Sequence, residues 1–248
     1  MIKKIALGVM LSMGIAATGQ AQIFKNVVKN AGNVFGGKKT QGKTLGPTNT
    51  EITAGLREAL EIGAKTATNK LSLKDGFLGN ALVKVLMPPE AKKVENALRT
   101  IGMGSYVDKA IVAMNRAAED ASQQALPIFV NAIKGMTIQD ALGILRGSDD
   151  AATQYLKGKT TAQLTAAFKP VISASLDKVN ATKYWAEVFD IYNALPTTNN
   201  KVNPDLTGYV TERALNGIFL MVAEQEQKIR LNPAEQVTDI LKKVFGKK

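Results

Sequence analysis

The sequence predicts an all-α fold: a single multi-helix, bundle-like domain with a buried central helix. Apolar residues recur at helical spacing through most of residues 47–248. Capping residues and prolines mark new helix starts at short intervals along the same region. The segment 205–230 is apolar around almost the whole helical wheel in its middle, which is typical of a helix at the centre of a domain.

Residues 1–21 predict a secretory signal peptide. Lys3 and Lys4 precede an apolar core shorter than the roughly 20 residues of a membrane-spanning helix, and small residues follow at Gly19 and Ala21. We expect cleavage near Ala21 and a protein that is exported, either periplasmic or secreted. The chain contains no Cys, which excludes both a lipid-modified N-terminal cysteine and disulfides.

Residues 22–46 predict a basic, flexible arm and linker. This segment contains lysines but no acidic residue, and it suggests a weak contact with an anionic membrane surface. From Pro47 onward, 25 basic residues stand against 21 acidic ones, so the net charge of +11 falls to +4. Because the globular part is nearly balanced in charge, we do not expect nucleic-acid binding.

Helix starts follow one another from residue 48. Four capping boxes predict them: Thr48 with Glu51, Ser105 with Asp108, Thr137 with Asp140, and Thr160 with Gln163. Three further starts are predicted at Pro88-Pro89, Ser148 and Asn232-Pro233, and Gly102 predicts a helix end.

Two prolines and one alternating segment interrupt this helical pattern. Pro127 and Pro170 are expected to break or kink their helices. The segment ALVKVL (81–86) alternates like a strand. It has no second strand nearby to pair with, so we interpret it as an extended connector.

The stretch MNRAAEDASQQA (114–125) places Arg116 and Glu119 in an alanine-rich helix. The small residues share one face, and Arg116 lies opposite with Glu119 one turn away. The simplest interpretation is an exposed ion pair. Val112 lies on the same outer side, so a second interpretation is a partly buried pair against another element. We favour a structural pair over a ligand site.

The predicted central helix carries a polar stripe within one narrow sector of its wheel: Arg213, Asn216, Glu224 and Gln227. A buried unpaired charge is costly, so this stripe is expected to face either a polar network or a ligand pocket. We favour a network, in which case removal of the Arg213 side chain is expected to cost about 3–5 kcal/mol.

The chemistry of the chain is restricted because it contains neither His nor Cys. The commonest general base and the commonest transition-metal ligands are therefore excluded, and we predict no cofactor and no metal. Asp149 and Asp150 beside Tyr155 are the most exposed carboxylate candidates for a hydrolase. Neighbouring residues on a helix point about 100° apart, so the two aspartates fit a helix start better.

Six collinear motifs resemble a family of exported bacterial proteins known only as a domain of unknown function: GLREAL (55–60), DGF (75–77), VDKAIVAMNRAAE (107–119), AATQYL (151–156), DLTGYVTERALNGIF (205–219) and IRLNP (229–233). In this family the first motif is usually GLKEAL, where this chain has GLREAL, and the segment ALNGIF is usually ALDGLF. This chain therefore has Asn216 where the family has a carboxylate. The resemblance implies export and a single domain. It implies no activity.

Three functions remain open at this point. A non-enzymatic helical protein of the cell envelope that binds a ligand or partner is favoured, because the recognisable catalytic motifs are missing from the sequence. A carrier that encloses an apolar or lipid ligand is the alternative. A carboxylate-dependent hydrolase is the least favoured of the three.

Overall fold

The computed structural model describes residues 48–194 and 201–231, apart from the side chain of Ile191. This part of the chain forms α-helices and one 3₁₀ turn in the order α1 (Asn49–Ser72), 3₁₀ turn (Pro89–Ala91), α2 (Lys92–Thr100), α3 (Gly104–Ser122), α4 (Ala125–Lys134), α5 (Ile138–Arg146), α6 (Ala151–Asp177), α7 (Ala181–Ala194) and α8 (Leu206–Leu231). Strands are absent from the described ranges, and the predicted all-α fold is confirmed.

Helix α8 lies at the centre of the bundle, as its sequence predicts. It packs against α1, α3, α6 and α7. Its inward residues include Ile218 and Phe219, and the ring of Phe219 meets that of Phe129 edge-on at 5.9 Å. Gly63 of α1 allows α8 to approach closely, because a methyl group at this position would lie 3.3 Å from Cβ of Gln225.

Two of the four predicted capping boxes are present. Thr48 with Glu51 opens α1, and Thr137 with Asp140 opens α5, each with the reciprocal side-chain and backbone hydrogen bonds of the motif. The helix end at Gly102 is also confirmed: this residue has a φ of +81°, a left-handed conformation that favours glycine.

The other two predicted capping boxes, Ser105 with Asp108 and Thr160 with Gln163, are wrong. Helix α3 begins at Gly104 without a side-chain cap, and Asp108 instead pairs with Arg99 of α2 at 2.9 Å. Helix α6 continues through residue 160, where the Thr160 hydroxyl donates to the carbonyl oxygen of Leu156 one turn earlier. A threonine that bonds back within its own helix looks the same in sequence as one that caps a new helix.

The predictions for Pro127, Pro170 and Ser148 agree only in part with the structure. Pro127 lies in the first turn of α4, directly after the break that separates α3 from α4. Pro170 lies inside α6 without ending it. The start near residue 150 is found, but the Ser148 hydroxyl donates to the Asp150 carboxylate and does not cap α6.

Several predictions fall outside the described residues: the signal peptide (1–21), the basic arm (22–46) and the helix start at Asn232-Pro233. All described helices belong to one unit of the chain, Gly46–Lys248. By length and composition, no single described helix qualifies as a membrane span, although the bent pair Gly104–Lys134 and Ile138–Arg146 passes that test jointly.

Candidate binding surface

The connector, residues 80–87, begins with a turn and continues as an extended segment from Lys84 to Met87. In the turn, the backbone N–H groups of Val83 and Lys84 both donate to the carbonyl of Asn80. Exposed side chains at Leu82, Lys84 and Leu86 alternate with buried ones at Val83 and Val85. The predicted extended connector (81–86) is therefore present only from Lys84 onward, because residues 81–83 form a turn. In the extended part, successive side chains alternate between solvent and the core.

A single asparagine side chain of α3 holds the middle of the connector. The Val85 backbone N–H donates to Oδ1 of Asn115 at 2.8 Å, and Nδ2 of Asn115 donates to the Val85 carbonyl at 2.8 Å. Asn115 is fully buried and also donates to the carbonyl of Ile111. The amide side chain thus takes the place of a neighbouring strand.

The connector runs antiparallel to α8, as three contacts show. The Tyr209 hydroxyl donates to the Leu86 carbonyl at 2.8 Å. A methyl group at Gly217 would lie 3.3 Å from Cβ of Val83, and Nδ2 of Asn80 lies 3.7 Å from the sulfur of Met221. The exposed residues of α8 in this interval therefore border the connector.

We call the combined surface the connector face; its residues are Leu82, Lys84, Leu86, Arg213, Asn216 and Leu220. Its three leucines are 71%, 49% and 47% exposed at positions 82, 86 and 220. The Arg213 guanidinium lies over the Tyr209 ring, 5.3 Å from its centroid. Burial raises the pKa of the Tyr209 hydroxyl, whereas the hydrogen bond and charge of Arg213 lower it.

The predicted inward orientation of the polar stripe is wrong. Arg213, Asn216 and Gln227 are exposed, and Glu224 is half-buried. The Glu224 carboxylate accepts from Nζ of Lys228 at 2.6 Å, which holds its pKa below the usual value. A central helix need not be covered on every side, and this sector of α8 is the one that reaches solvent.

Arg116 and Glu119 form a polar network with the loop that precedes the connector. Glu119 is only 3% exposed, and its Oε1 accepts from the backbone N–H groups of Phe77 and Leu78 at 3.1 Å each. Arg116 donates to Glu119 at 2.6 Å and to Asp75 at 2.7 Å. Hydrogen bonds to these two carboxylates raise the pKa of Arg116. Of the two interpretations of this pair, exposed or partly buried, the structure has the partly buried one, with Glu119 turned inward.

The sequence reasoning missed the buried carboxylate of Glu226 in α8. It is 6% exposed and accepts from the backbone N–H groups of Ala152 and Thr153 at 3.0 and 2.9 Å. It also pairs with Arg230 at 2.8 Å. The free N–H groups at the start of α6 are thus capped by another helix. The sequence signal that indicates its burial is the position of this acidic residue among the apolar positions of α8.

A small, partly open pocket between α1, α6 and α8 has a volume of about 20 Å³ and is lined by Glu226, Arg230 and apolar residues. That volume accommodates one water molecule, and an acyl chain does not fit. A larger groove of about 650 Å³ along α6 is open to solvent and is lined by Lys169 and Asp205 as well as small residues. Neither space has the shape of the enclosed apolar cavity expected of a lipid carrier.

The carboxylates proposed for a hydrolase lie at the start of α6. Asp150 accepts from the Ser148 hydroxyl at 2.6 Å and from Nε2 of Gln154 at 2.9 Å, and these bonds lower the pKa of its carboxyl. A lowered pKa is opposite to what a general acid needs. Within the described ranges, acidic side chains do not gather in groups of three or more that are able to hold a metal ion.

Residues 46–246 match the model of one protein family, described as a protein of unknown function (DUF4197). No curated protein and no solved structure matches the chain. The matched region contains every described helix, including those that carry the buried Glu119 and Glu226, and the connector face. The chain therefore belongs to the DUF4197 family.

Proposed function

We propose that this protein is an exported, non-enzymatic binding protein of the cell envelope that recognises another macromolecule through the connector face. The observation that carries the proposal is the exposure of Leu82 and Leu86 on the connector and of Leu220 on the part of α8 along which the connector runs. Clustered apolar side chains on a protein surface commonly mark interaction sites.

The rigidity of the connector supports this role. Its backbone is held by Asn115 on one side and by Tyr209 on the other. The exposed leucines are therefore presented by a fixed backbone, and less conformational entropy is lost when a partner binds. Export is supported by the sequence of residues 1–21.

Photo-cross-linking in cells tests this assignment. A photoreactive residue at position 82 or 220 is expected to yield a discrete cross-linked product. The same residue at Ile138, an exposed apolar position at the start of α5, is the matched control. Equal products from position 138, or products only from Tyr106 near the start of α3, would place the binding surface elsewhere.

A further inference from the structure

A small apolar cluster lies apart from the main core, on α1 beside the end of α8. It contains Ala59, Ile62 and Ile229. With about 100° between successive residues of a helix, Ile52 and Gly55 fall within about 80° of Ala59 and Ile62 on the same side of α1. We call these four residues of α1 the α1 strip. Gly55 and Ala59 are buried and the two isoleucines are half-buried. The strip is about 15 Å long, at a rise of about 1.5 Å per residue.

Helix α8 ends beside the Ile62 end of the α1 strip. A methyl group at Gly63 would lie 3.9 Å from Cδ1 of Ile229, which is in the last turn of α8. Leu231 ends this helix, and its side chain is 64% exposed. Asn232-Pro233 follows, outside the described residues. Because proline lacks an N–H and disfavours a helical conformation of the residue before it, the chain is expected to leave the axis of α8 there, beside the strip.

The segment that follows Pro233 has an apolar face and a length that fit the α1 strip. Its apolar residues recur at the spacing of one face of an amphipathic helix: Val237, Ile240, Leu241, Val244 and Phe245. A helix over residues 234–245 measures about 18 Å, close to the length of the strip. The match to the protein family extends to residue 246, so the family model includes this segment.

The charges beside the α1 strip are opposite to those of the same segment. Four charged residues lie on the neighbouring side of α1, three acidic and one basic: Glu51, Glu58, Glu61 and Lys65. After residue 239, the segment carries four lysines and no acidic residue: Lys242, Lys243, Lys247 and Lys248. Opposite charges on two surfaces favour their association and fix its orientation.

The positive charges around the α1 strip indicate the direction of the segment. Lys70 lies in line with the strip, about 12 Å beyond Ile62. Other cations nearby already have partners: Arg57 donates to the Met136 carbonyl, Lys228 pairs with Glu224, and Arg230 pairs with Glu226. A segment that runs from Ile62 toward Ile52 therefore brings its lysines toward Glu51 and Glu58 and away from Lys70.

We propose that residues 234–245 dock on the α1 strip as an amphipathic helix that runs from Ile62 toward Ile52, antiparallel to α1. The docked helix covers Ala59 and Ile229 with its apolar face, and it thereby ties the end of α8 to α1. The strip shares no residue with the connector face, so this docking is independent of the binding role proposed above.

Cross-linking in the full chain tests this arrangement. The chain contains no Cys, so introduced cysteines meet no competing thiol. A short bismaleimide is expected to bridge Ile62→Cys with Val237→Cys, and Ile52→Cys with Val244→Cys, each within one chain. The crossed pair, Ile62→Cys with Val244→Cys, is expected to give about fivefold less product or lower, because residues 237 and 244 are about 10 Å apart along a helix. Mass spectrometry of proteolytic peptides identifies the products.

Asp239→Cys is the matched control within the segment, because position 239 lies opposite the apolar face. It is expected to give little product with either Ile52→Cys or Ile62→Cys. Equal product from this control, or from the crossed pair, would overturn the docked arrangement. A product that joins two chains would show that the segment docks on a second copy, and it would overturn docking within one chain.

Hydrogen exchange provides a second measurement, which needs no cysteine. Leu241→Gln removes an apolar contact from the docked helix and is expected to accelerate exchange about tenfold at amides in the last turn of α8, near Ile229. Lys243→Gln, on the polar side of the segment, is the matched control and is expected to leave those amides nearly unchanged. Circular dichroism checks that both variants are folded. Equal exchange in the two variants would show that the segment does not hold the end of α8.

Discussion

Glu226 and Glu224 lie two residues apart on α8 and have different surroundings. Glu226 is buried, paired with Arg230, and caps the start of α6, whereas Glu224 is half-buried and pairs with Lys228 along its own helix. Removing one partner of a buried pair leaves an uncompensated charge. We expect Glu226→Ala to lower the free energy of unfolding by about 3–5 kcal/mol, measured by urea denaturation.

Glu224→Ala is the matched control, with an expected loss of at most about 1 kcal/mol, as for other partly exposed pairs within one helix. Equal losses from the two variants would show that Glu226 is not the cap of α6.

Arg213 illustrates a residue that was predicted to be buried and is exposed. Because its guanidinium lies over the Tyr209 ring and faces solvent, we now expect Arg213→Ala to cost about 0.5–1 kcal/mol, the usual value of an exposed cation–π contact. Chemical denaturation measures this. A loss as large as that of Glu226→Ala would mean that Arg213 has a buried role after all.

The difference between Arg213 and Glu226 shows what a helical wheel leaves out. The wheel groups residues by angle, and it placed Arg213, Asn216 and Gln227 correctly in one sector. It carries no information on which sector is left uncovered by neighbouring helices. Glu226 lies on the covered side. Its hydrogen-bond donors are the backbone N–H groups of residues 152 and 153, which are remote in sequence.

At the scale of the element, the connector depends on Asn115. Replacing this side chain by alanine leaves the Val85 N–H and carbonyl without their partners in a buried position. Each unpaired group is expected to lower the free energy of unfolding by about 1–3 kcal/mol. We expect Asn115→Ala to accelerate hydrogen exchange at the Val85 amide far more than at amides of α6.

Asn193 offers a comparison for that variant, because its side chain makes the same pair of bonds with the backbone of Val202. Asn193→Ala is expected to accelerate exchange at Val202 and to leave Val85 unchanged. Faster exchange at Val85 in both variants would indicate global destabilisation and would contradict a local clamp.

Gly217 sets the distance between α8 and the loop before the connector. A methyl group at this position would lie 2.7 Å from Cε1 of Phe77, a buried ring that is unable to move away freely. We expect Gly217→Ala to destabilise the protein by about 1–3 kcal/mol through overpacking. Thermal unfolding detects this.

Gly158 of α6 is the matched control for that substitution, since a methyl group there meets no atom within 4 Å. Gly158→Ala is expected to stabilise the protein by up to about 1 kcal/mol through helix propensity alone. If both substitutions stabilise the protein, the packing of Phe77 against α8 is looser than described.

Element boundaries were predictable where the signal is local. The Thr48 and Thr137 boxes and the Gly102 helix end depend only on residues within one turn, and all three are present. The predicted start at Thr160 failed because the same local pattern occurs inside a continuous helix. The outcome at such a position depends on packing against other helices, which no local pattern contains.

At the scale of the whole molecule, the basic segment 22–46 predicts an electrostatic attraction to anionic membranes. We expect that deleting this segment lowers binding to vesicles of anionic lipid at low salt, and that salt near physiological strength weakens binding of the longer form, because the Debye length is then about 8 Å. Vesicle co-sedimentation measures both effects. Equal binding with and without the segment would contradict the attraction.

The all-α class and the central position of α8 were predictable because both follow from the periodicity and the amount of apolar sequence. The connector face was not. Its leucines are residues 82, 86 and 220, and only in the folded chain does the connector run along the part of α8 that carries Leu220. The sequence alone predicts the connector and α8 as separate elements, and it does not show that they lie side by side.

The position of Glu226 on the helix that follows all the other described helices also has a consequence for when the protein folds. The start of α6 receives its cap only from α8, and the same late helix fills the centre of the bundle. A nascent chain that ends before residue 226 therefore lacks both the core and the cap. Such a chain is expected to remain protease-sensitive until α8 has been synthesised.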